Sequence, residues 1–161
     1  MRIGVVADTH APRYSLPSIL HRAFARVDLI VHAGDLCTES VLDELGATAP
    51  VSAVAGNMDA RDLAMRLPEH LKLTFGDRAV VLIHGHQAGT ALQAARREAR
   101  RLSPGDCVIF GHSHQAYNRS ENGVLLFNPG SPTWKRSAPA RTYGFLDVSS
   151  VIRGTIRQVE D

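Results

Sequence analysis

The 161-residue chain predicts an α/β fold with mixed sheets, on three observations. Its first half alternates short apolar runs with segments of helical spacing, the order that pairs strands in parallel. Its second half carries apolar runs separated by turn residues, which read as hairpins. Five of the apolar runs lead into polar signatures: Asp8-Thr9-His10, Gly34-Asp35, Gly56-Asn57, His84-Gly85-His86 and Gly111-His112-Ser113-His114. Hydrophobic residues make up 44% of the chain and charged residues 21%, enough to bury one sizeable core, so residues 1–161 are read as a single domain.

Ile3-Gly4-Val5-Val6-Ala7 is a continuous apolar run and reads as a buried strand stopping at Asp8. A polar loop with Pro12 and Pro17 follows. Ile19, Leu20, Ala23, Phe24 and Val27 then recur at helical spacing, with Ser15 or Ser18 available as a cap. Asp28 to Val31 is a second strand, leading to Gly34-Asp35. Thr38 to Gly46 reads as a short helix with Val41, Leu42 and Leu45 on one side, and Val51 to Ala55 as a third strand ending at Gly56-Asn57. In the second half, Leu71 to Phe75 alternates as a half-buried strand does, Gly76-Asp77 is a turn signal, and Ala79 to Ile83 runs into His84; the pair reads as a hairpin. Gly89 to Leu102 is helical in composition. Cys107 to Phe110 is a strand ending at Gly111-His112, and Val124 to Phe127 one ending at Asn128-Pro129-Gly130-Ser131. Tyr143 to Val148 and Val151 to Val159 read as a last pair of strands. Gln115 to Asn122 is read as a loop, and Lys135 to Arg141 as the segment most suited to mobility.

Several function classes are disfavoured. A net charge of +2 gives no strong pull toward nucleic acid or a membrane surface. No run approaches the ~20 apolar residues of a membrane span. The first strand starts at Arg2 or Ile3, which leaves no room for a cleaved leader. Cys37 and Cys107 are far apart and fit no paired motif, so a reducing cytoplasm is the expected compartment.

In open α/β sheets, ligands bind beyond the carboxyl ends of the strands. The five signatures therefore place their side chains along one rim, and the glycines beside Asp35, Asn57, His84 and His112 let the backbone turn sharply there. Seven residues are candidate metal ligands: Asp8, His10, Asp35, Asn57, His84, His112 and His114. That is too many for one ordinary metal and suits two metals sharing a carboxylate. Such pairs, roughly 3.5–4 Å apart, are standard machinery for splitting phosphate esters. The mixed nitrogen and oxygen donors favour manganese, iron, cobalt, nickel or zinc over calcium or magnesium. A lone aspartate or histidine at a strand end is usually a cap; the set outweighs that reading, since five of the eight histidines fall within the signatures. His32 reads as a core or orienting histidine, His21 and His70 as surface residues, and Cys37 as a small buried filler. Arg96, Arg97, Arg100 and Arg101 read as a solvated helix face. Asp59 either orients a ligand or caps a turn, Trp134 either covers the substrate or packs, and Arg136 and Arg141 either meet an anionic substrate or decorate a surface loop.

These motifs, in this order, resemble the calcineurin-like metallophosphoesterase superfamily, and more closely its small single-domain phosphodiesterases of bacteria and archaea. The similarity covers nearly the whole chain, including Asn128 to Ser131. It implies a four-layer αββα sandwich of two mixed sheets with helices outside. It implies that Asp8, His10 and His114 hold a first divalent transition metal, Asn57, His84 and His112 a second, and that Asp35 bridges them, with manganese first in line and nickel, cobalt, iron or zinc as alternatives. The implied activity is a phosphodiesterase that attacks a small phosphate ester with metal-activated hydroxide. Asn57 and His86 are the catalytic candidates, Asn57 through its amide and His86 as a donor to substrate or leaving oxygen. The alternatives are a phosphomonoesterase or nucleotide hydrolase on the same site, or a catalytically silent scaffold. Relatives often form dimers or tetramers. One departure stands out: many members read Gly-Asn-His-Asp/Glu, whereas this chain reads Gly56-Asn57-Met58-Asp59. Methionine cannot donate a proton, and a positioned acid is typically worth ~10²–10⁴ in rate. The small phosphodiesterase branch commonly lacks that histidine too.

Overall fold

Alternating apolar residues on the strands decide how the layers of this fold stack. The computed structural model describes residues 1–87 and 89–160. In chain order the elements are β1 (Arg2–Val6), α1 (Ile19–Phe24), β2 (Leu29–His32), α2 (Ser40–Gly46), β3 (Val51–Ala53), α3 (Arg61–Arg66), β4 (His70–Phe75), β5 (Arg78–Ile83), α4 (Ala91–Ala99), β6 (Cys107–Ile109), β7 (Tyr117–Glu121), β8 (Val124–Asn128), β9 (Thr142–Val148) and β10 (Ile152–Gln158). They form two five-stranded sheets, ordered β10-β9-β1-β2-β3 and β4-β5-β6-β8-β7. Both are mixed. β1, β2 and β3 run parallel, with β9 antiparallel to β1 and β10 to β9. β5, β6 and β8 run parallel, with β4 and β7 antiparallel at the edges.

The sheets pack face to face. Ile3 and Val5 of β1 and Val31 of β2 meet Val80 and Leu82 of β5 and Ile109 of β6 in one buried core. The residues between them point the other way, as the two-residue period of a strand requires. Val6 and Ile30 pack against Leu20 and Phe24 of α1, Val41 and Leu45 of α2 and Leu63 of α3. Val81, Ile83 and Val108 pack against Ala91, Ala94 and Ala95 of α4. The layers are thus helix, sheet, sheet, helix, the αββα sandwich. Among the described residues no helix is long and apolar enough to cross a membrane.

Three elements depart from the expected ones. Residues 117–121 form an edge strand, not a loop; Tyr117 alone packs inward and Asn118, Arg119 and Ser120 are exposed, so no apolar alternation announces them. The short helix α3 buries only Leu63, too little to set a period. The helix expected over 89–102 spans Ala91–Ala99, started by a capping box in which Thr90 and Gln93 bond each other's backbone N–H. Ser18 stands at the N-cap of α1 but makes no side-chain capping bond.

Phe127 of β8 shows how tightly the sheets meet. A Cβ at Gly144 of β9 would lie 2.5 Å from its ring, and one at Gly154 of β10 2.6 Å from it. These glycines make room for the phenyl group. Gly144→Ala is therefore expected to lower unfolding free energy by ~1–3 kcal/mol, the usual range for overpacking. Adding Phe127→Leu should recover part of that loss. Urea denaturation of the single and double variants measures both, and an unchanged midpoint in Gly144→Ala would rule out the tight contact.

Candidate metal centre

Hydrogen bonds cross between the sheets at one rim. The His112 N–H donates to Asp8 Oδ1 at 3.2 Å, and His84 Nδ1 donates to the Ala33 carbonyl at 2.7 Å. Two donor groups result. Asp8 and His10, from the segment after β1, meet His114, from the segment after β6; Asp35, after β2, meets His84, after β5, and His112, after β6. Within each group the donor atoms lie within 4.8 Å of one another, and each group could hold a metal ion. Asp35 Oδ2 lies 3.3 Å from His84 Nε2 and 3.8 Å from His10 Nε2, so one carboxylate touches both groups. Asn57 Oδ1 stands 3.1 Å from His84 Nε2. All seven residues singled out in the sequence come together here.

The backbone aims these side chains at a cost. Asp8, His10, Asp35, His112 and His114 all have positive φ, between 51° and 68°. Such left-handed conformations are strained for residues with a Cβ and persist where the surroundings enforce them. Enforcement is visible in the hydrogen bonds Asp8 N to Gly34 O and His10 N to Asp35 O, both 3.0 Å. The glycines play two roles rather than one. Gly34 and Gly85 do turn at positive φ, at 88° and 97°. Gly56 instead provides room: a Cβ there would fall 2.2 Å from the Asp35 amide nitrogen.

Backbone carbonyls orient the rings. His84 Nδ1 bonds Ala33 O, and His114 Nδ1 bonds the Trp134 carbonyl. Each bond fixes the proton on Nδ1 and turns Nε2 inward, as metal-ligating histidines require. His10 Nε2 and His114 Nε2 face each other at 3.1 Å. Burial pulls His114 down to about 4, so its Nε2 presents a lone pair at neutral pH. Asp8 Oδ2 is buried with no hydrogen-bond partner. An orphaned carboxylate oxygen beside an inward-facing imidazole lone pair fits a cation.

The two carboxylates differ sharply. Burial pushes Asp8 up to about 8, the attraction of His84 only partly opposing it. Burial also presses Asp35 upward, but the hydrogen bond and charge of His84, with the Met58 N–H at 2.8 Å, hold it at about 2. For His84, burial works against the proton, yet its bond to Asp35 and the charge of Asp8 raise it above the usual imidazole value. His10 and His112 are lowered, first by burial.

Asp59 accepts the Cys37 N–H at 2.6 Å and the Gly56 N–H at 2.7 Å, joining the loop of Asp35 to that of Asn57. Met58 contributes through its backbone, while its side chain is exposed. Cys37 is not a core filler: it is half-buried, with Sγ 3.5 Å from His10 Nδ1, and burial pushes its thiol up to about 11. His32 is fully buried with Nε2 3.0 Å from Thr9 Oγ1. His21 and His70 pair with Glu44 and Glu98 on the surface, and Arg96 and Arg101 with Glu121 and Glu98. His86 is half-buried, its ring 5.3 Å from that of His84 and 6.4 Å from that of His112. The sequence reading missed the bracing by the loop after β8. Ser131 Oγ donates to the Asp8 carbonyl at 2.8 Å and Thr133 Oγ1 to the Thr9 carbonyl at 2.9 Å, and no spacing rule flags such hydroxyls.

Residues 1–151 match the family model of the calcineurin-like phosphoesterase superfamily domain. A probable metallophosphoesterase of Methanothermobacter thermautotrophicus is 38% identical over 138 residues, covering 84% of this chain and 80% of that protein. A phosphodiesterase of Methanocaldococcus jannaschii is 26% identical over 147 residues, covering 81% and 83%. Vps29 from Entamoeba histolytica, solved in complex with zinc, shares the fold with a TM-score of 0.79 at 22% identity, over 98% of this chain and 99% of that one.

Proton linkage gives a test free of turnover. In the metal-free protein Asp8 keeps its proton to about pH 8, whereas an unfolded aspartate loses it near 3.8. The unfolded state is then the proton-poorer one, so this group costs stability as pH rises through that window. The lowered histidines act oppositely below about pH 6.5. Stability of the metal-free protein should therefore peak near pH 6.5 and fall toward pH 8. Asp8→Asn should make the alkaline fall shallower, leaving the part that His84, raised by its bond to Asp35, contributes above pH 6.5, and manganese in the unmutated chain should oppose the fall as well. Denaturant titrations across pH 5–9 check this; an alkaline slope in Asp8→Asn as steep as in the unmutated chain contradicts it.

Proposed function

Because the chain belongs to the calcineurin-like phosphoesterase superfamily, we propose that it is a two-metal phosphodiesterase of small phosphate esters, working in the cytoplasm as a single domain. The reading is carried by Asp35, whose Oδ2 reaches both donor groups at 3.3 and 3.8 Å. Asp8, His10 and His114 would hold the first ion, Asn57, His84 and His112 the second, and Asp35 would serve both. Manganese is the first choice of metal, with nickel, cobalt, iron or zinc as alternatives. When bound, two such ions supply a water of pKa lowered from 15.7 toward ~7 and positive charge for the phosphate oxygens.

The chain's own residues do the rest. Ala33 and Trp134, through their carbonyls, keep His84 and His114 aimed inward. The Met58 N–H donates to Asp35 Oδ1 at 2.8 Å and favours its ionised form. Asn57 is exposed with Oδ1 toward His84, leaving its amide N–H₂ to donate to a phosphate oxygen. With methionine at position 58, His86 is the candidate to protonate the leaving oxygen. Diester preference is supported by the 26% identical phosphodiesterase.

The test is hydrolysis of bis-p-nitrophenyl phosphate by metal-stripped protein with manganese, nickel, cobalt, zinc or magnesium added back. Metal-dependent turnover is expected, reduced ~10²–10³-fold or more in Asp35→Asn, the scale of losing one electrostatic stabiliser. No turnover despite two ions bound per chain would favour a silent scaffold. His86→Gln should leave this activated ester nearly unaffected and slow an unactivated diester such as the dinucleotide thymidylyl-3′,5′-thymidine by ~10²-fold. Equal effects on both substrates would remove His86 as the acid.

A further inference from the structure

Four side chains at the edge of the first donor group have no part in the chemistry above. Trp134 stands edge-on to His10 and His114, with ring centres 5.6 and 5.3 Å away. Tyr14 stacks on Trp134 at 5.9 Å. The Arg13 guanidinium lies 5.4 Å from the centre of the Trp134 ring and 5.5 Å from that of Tyr14, and the Arg136 guanidinium lies 4.8 Å from Trp134. Arg136 Nη1 also donates to the His112 carbonyl at 3.4 Å. Two loops, one after His10 and one after Ser131, thus meet on a single indole and set two cations next to the metal ligands.

What sets these two arginines apart is that both rest on one indole beside the candidate metal ligands. Arg2, Arg66, Arg96 and Arg101 each pair with a carboxylate. Among the described residues, Arg13 and Arg136 make no ion pair. A guanidinium resting on an aromatic face is held in place there, while its remaining N–H groups can meet an anion; Arg136 gives one of its five to the His112 carbonyl. The indole itself is surrounded by Tyr14, His10, His114 and the two guanidiniums, so it serves as their support and offers little face for a nucleobase. The pattern fits recognition of charge rather than of a ring.

We propose that Arg13 and Arg136 form an anion subsite beside the metal centre and select phosphate esters that carry a second phosphate group. The assignment rests on the phosphoesterase reading for where the scissile phosphate lies. The second phosphate then meets the guanidinium forks, which suit bidentate contacts to phosphate oxygens. Trp134 is a positioning residue that holds both forks.

Trp134 is the chain's single tryptophan, so its fluorescence reports on the subsite. Manganese-loaded protein is titrated with thymidine 3′,5′-bisphosphate and with thymidine 5′-monophosphate. The bisphosphate is expected to bind about tenfold tighter or better, the scale of one charge-assisted fork contact. In the Arg13→Gln, Arg136→Gln double variant the advantage should shrink to within about twofold, and Lys at both positions should restore part of it. Both side chains are exposed, and a thermal melt checks that the variants fold. Equal affinities in the unmutated chain, or an advantage that survives the double Gln substitution, overturns the proposal. Adenosine 3′,5′-bisphosphate should show the same advantage; one confined to thymidine contradicts charge recognition. Turnover is scored separately with p-nitrophenyl diesters. A bisphosphate advantage without turnover would remove the diesterase reading and keep the subsite, while turnover without that advantage does the reverse.

Discussion

Neither donor group belongs to one sheet. Asp8, His10 and Asp35 follow strands of the first sheet, whereas His84, His112 and His114 follow strands of the second. The centre therefore exists only while the two sheets hold their mutual position. That position is set by the inner core of β1, β2, β5 and β6, by Phe127 fitted against glycines of β9 and β10, and by the bonds His84 to Ala33 and His112 to Asp8. Parallel pairing matters equally, because it brings the carboxyl ends of neighbouring strands to the same edge.

Bringing these groups together is unfavourable in itself. Two carboxylates are buried within a cage of imidazoles, one of them unpartnered at Oδ2, and five of the donor residues have left-handed backbones. Burying charge and bending backbone both cost stability, and such costs concentrate at functional sites. Three surrounding devices keep the arrangement in place: Asp59 spanning two loops, the hydroxyls of Ser131 and Thr133 on the carbonyls after β1, and Trp134 against the rings of His10 and His114. The seven candidate ligands thus depend on neighbours that carry none of the metal chemistry.

Much of this was legible in the sequence. Buried parallel strands are continuous apolar runs, so β1, β2, β5 and β6 announce themselves, and the polar residue ending each run marks the rim. The hairpin of β4 and β5 showed through alternation and the Gly76-Asp77 turn. Edge elements were hidden because they bury little. β7 is polar after Tyr117, although Asn122-Gly123, both at positive φ, is the turn signal that could have revealed its hairpin with β8. Cys37 was misjudged because its environment comes from His10 and Asp59, distant in sequence. Met58 reads as a missing acid in the sequence, whereas its amide has a positive role on Asp35. The Arg13, Tyr14, Trp134 and Arg136 assembly joins residues more than a hundred positions apart, a separation no local pattern spans.

The proposed sharing of Asp35 is the point on which the chemistry turns, and electron paramagnetic resonance of protein loaded with two equivalents of Mn²⁺ tests it most directly. A carboxylate common to both ions predicts an exchange-coupled manganese pair, replaced in Asp35→Asn by the spectrum of isolated ions. Isolated-ion spectra from the unmutated chain with both sites filled would contradict a shared carboxylate.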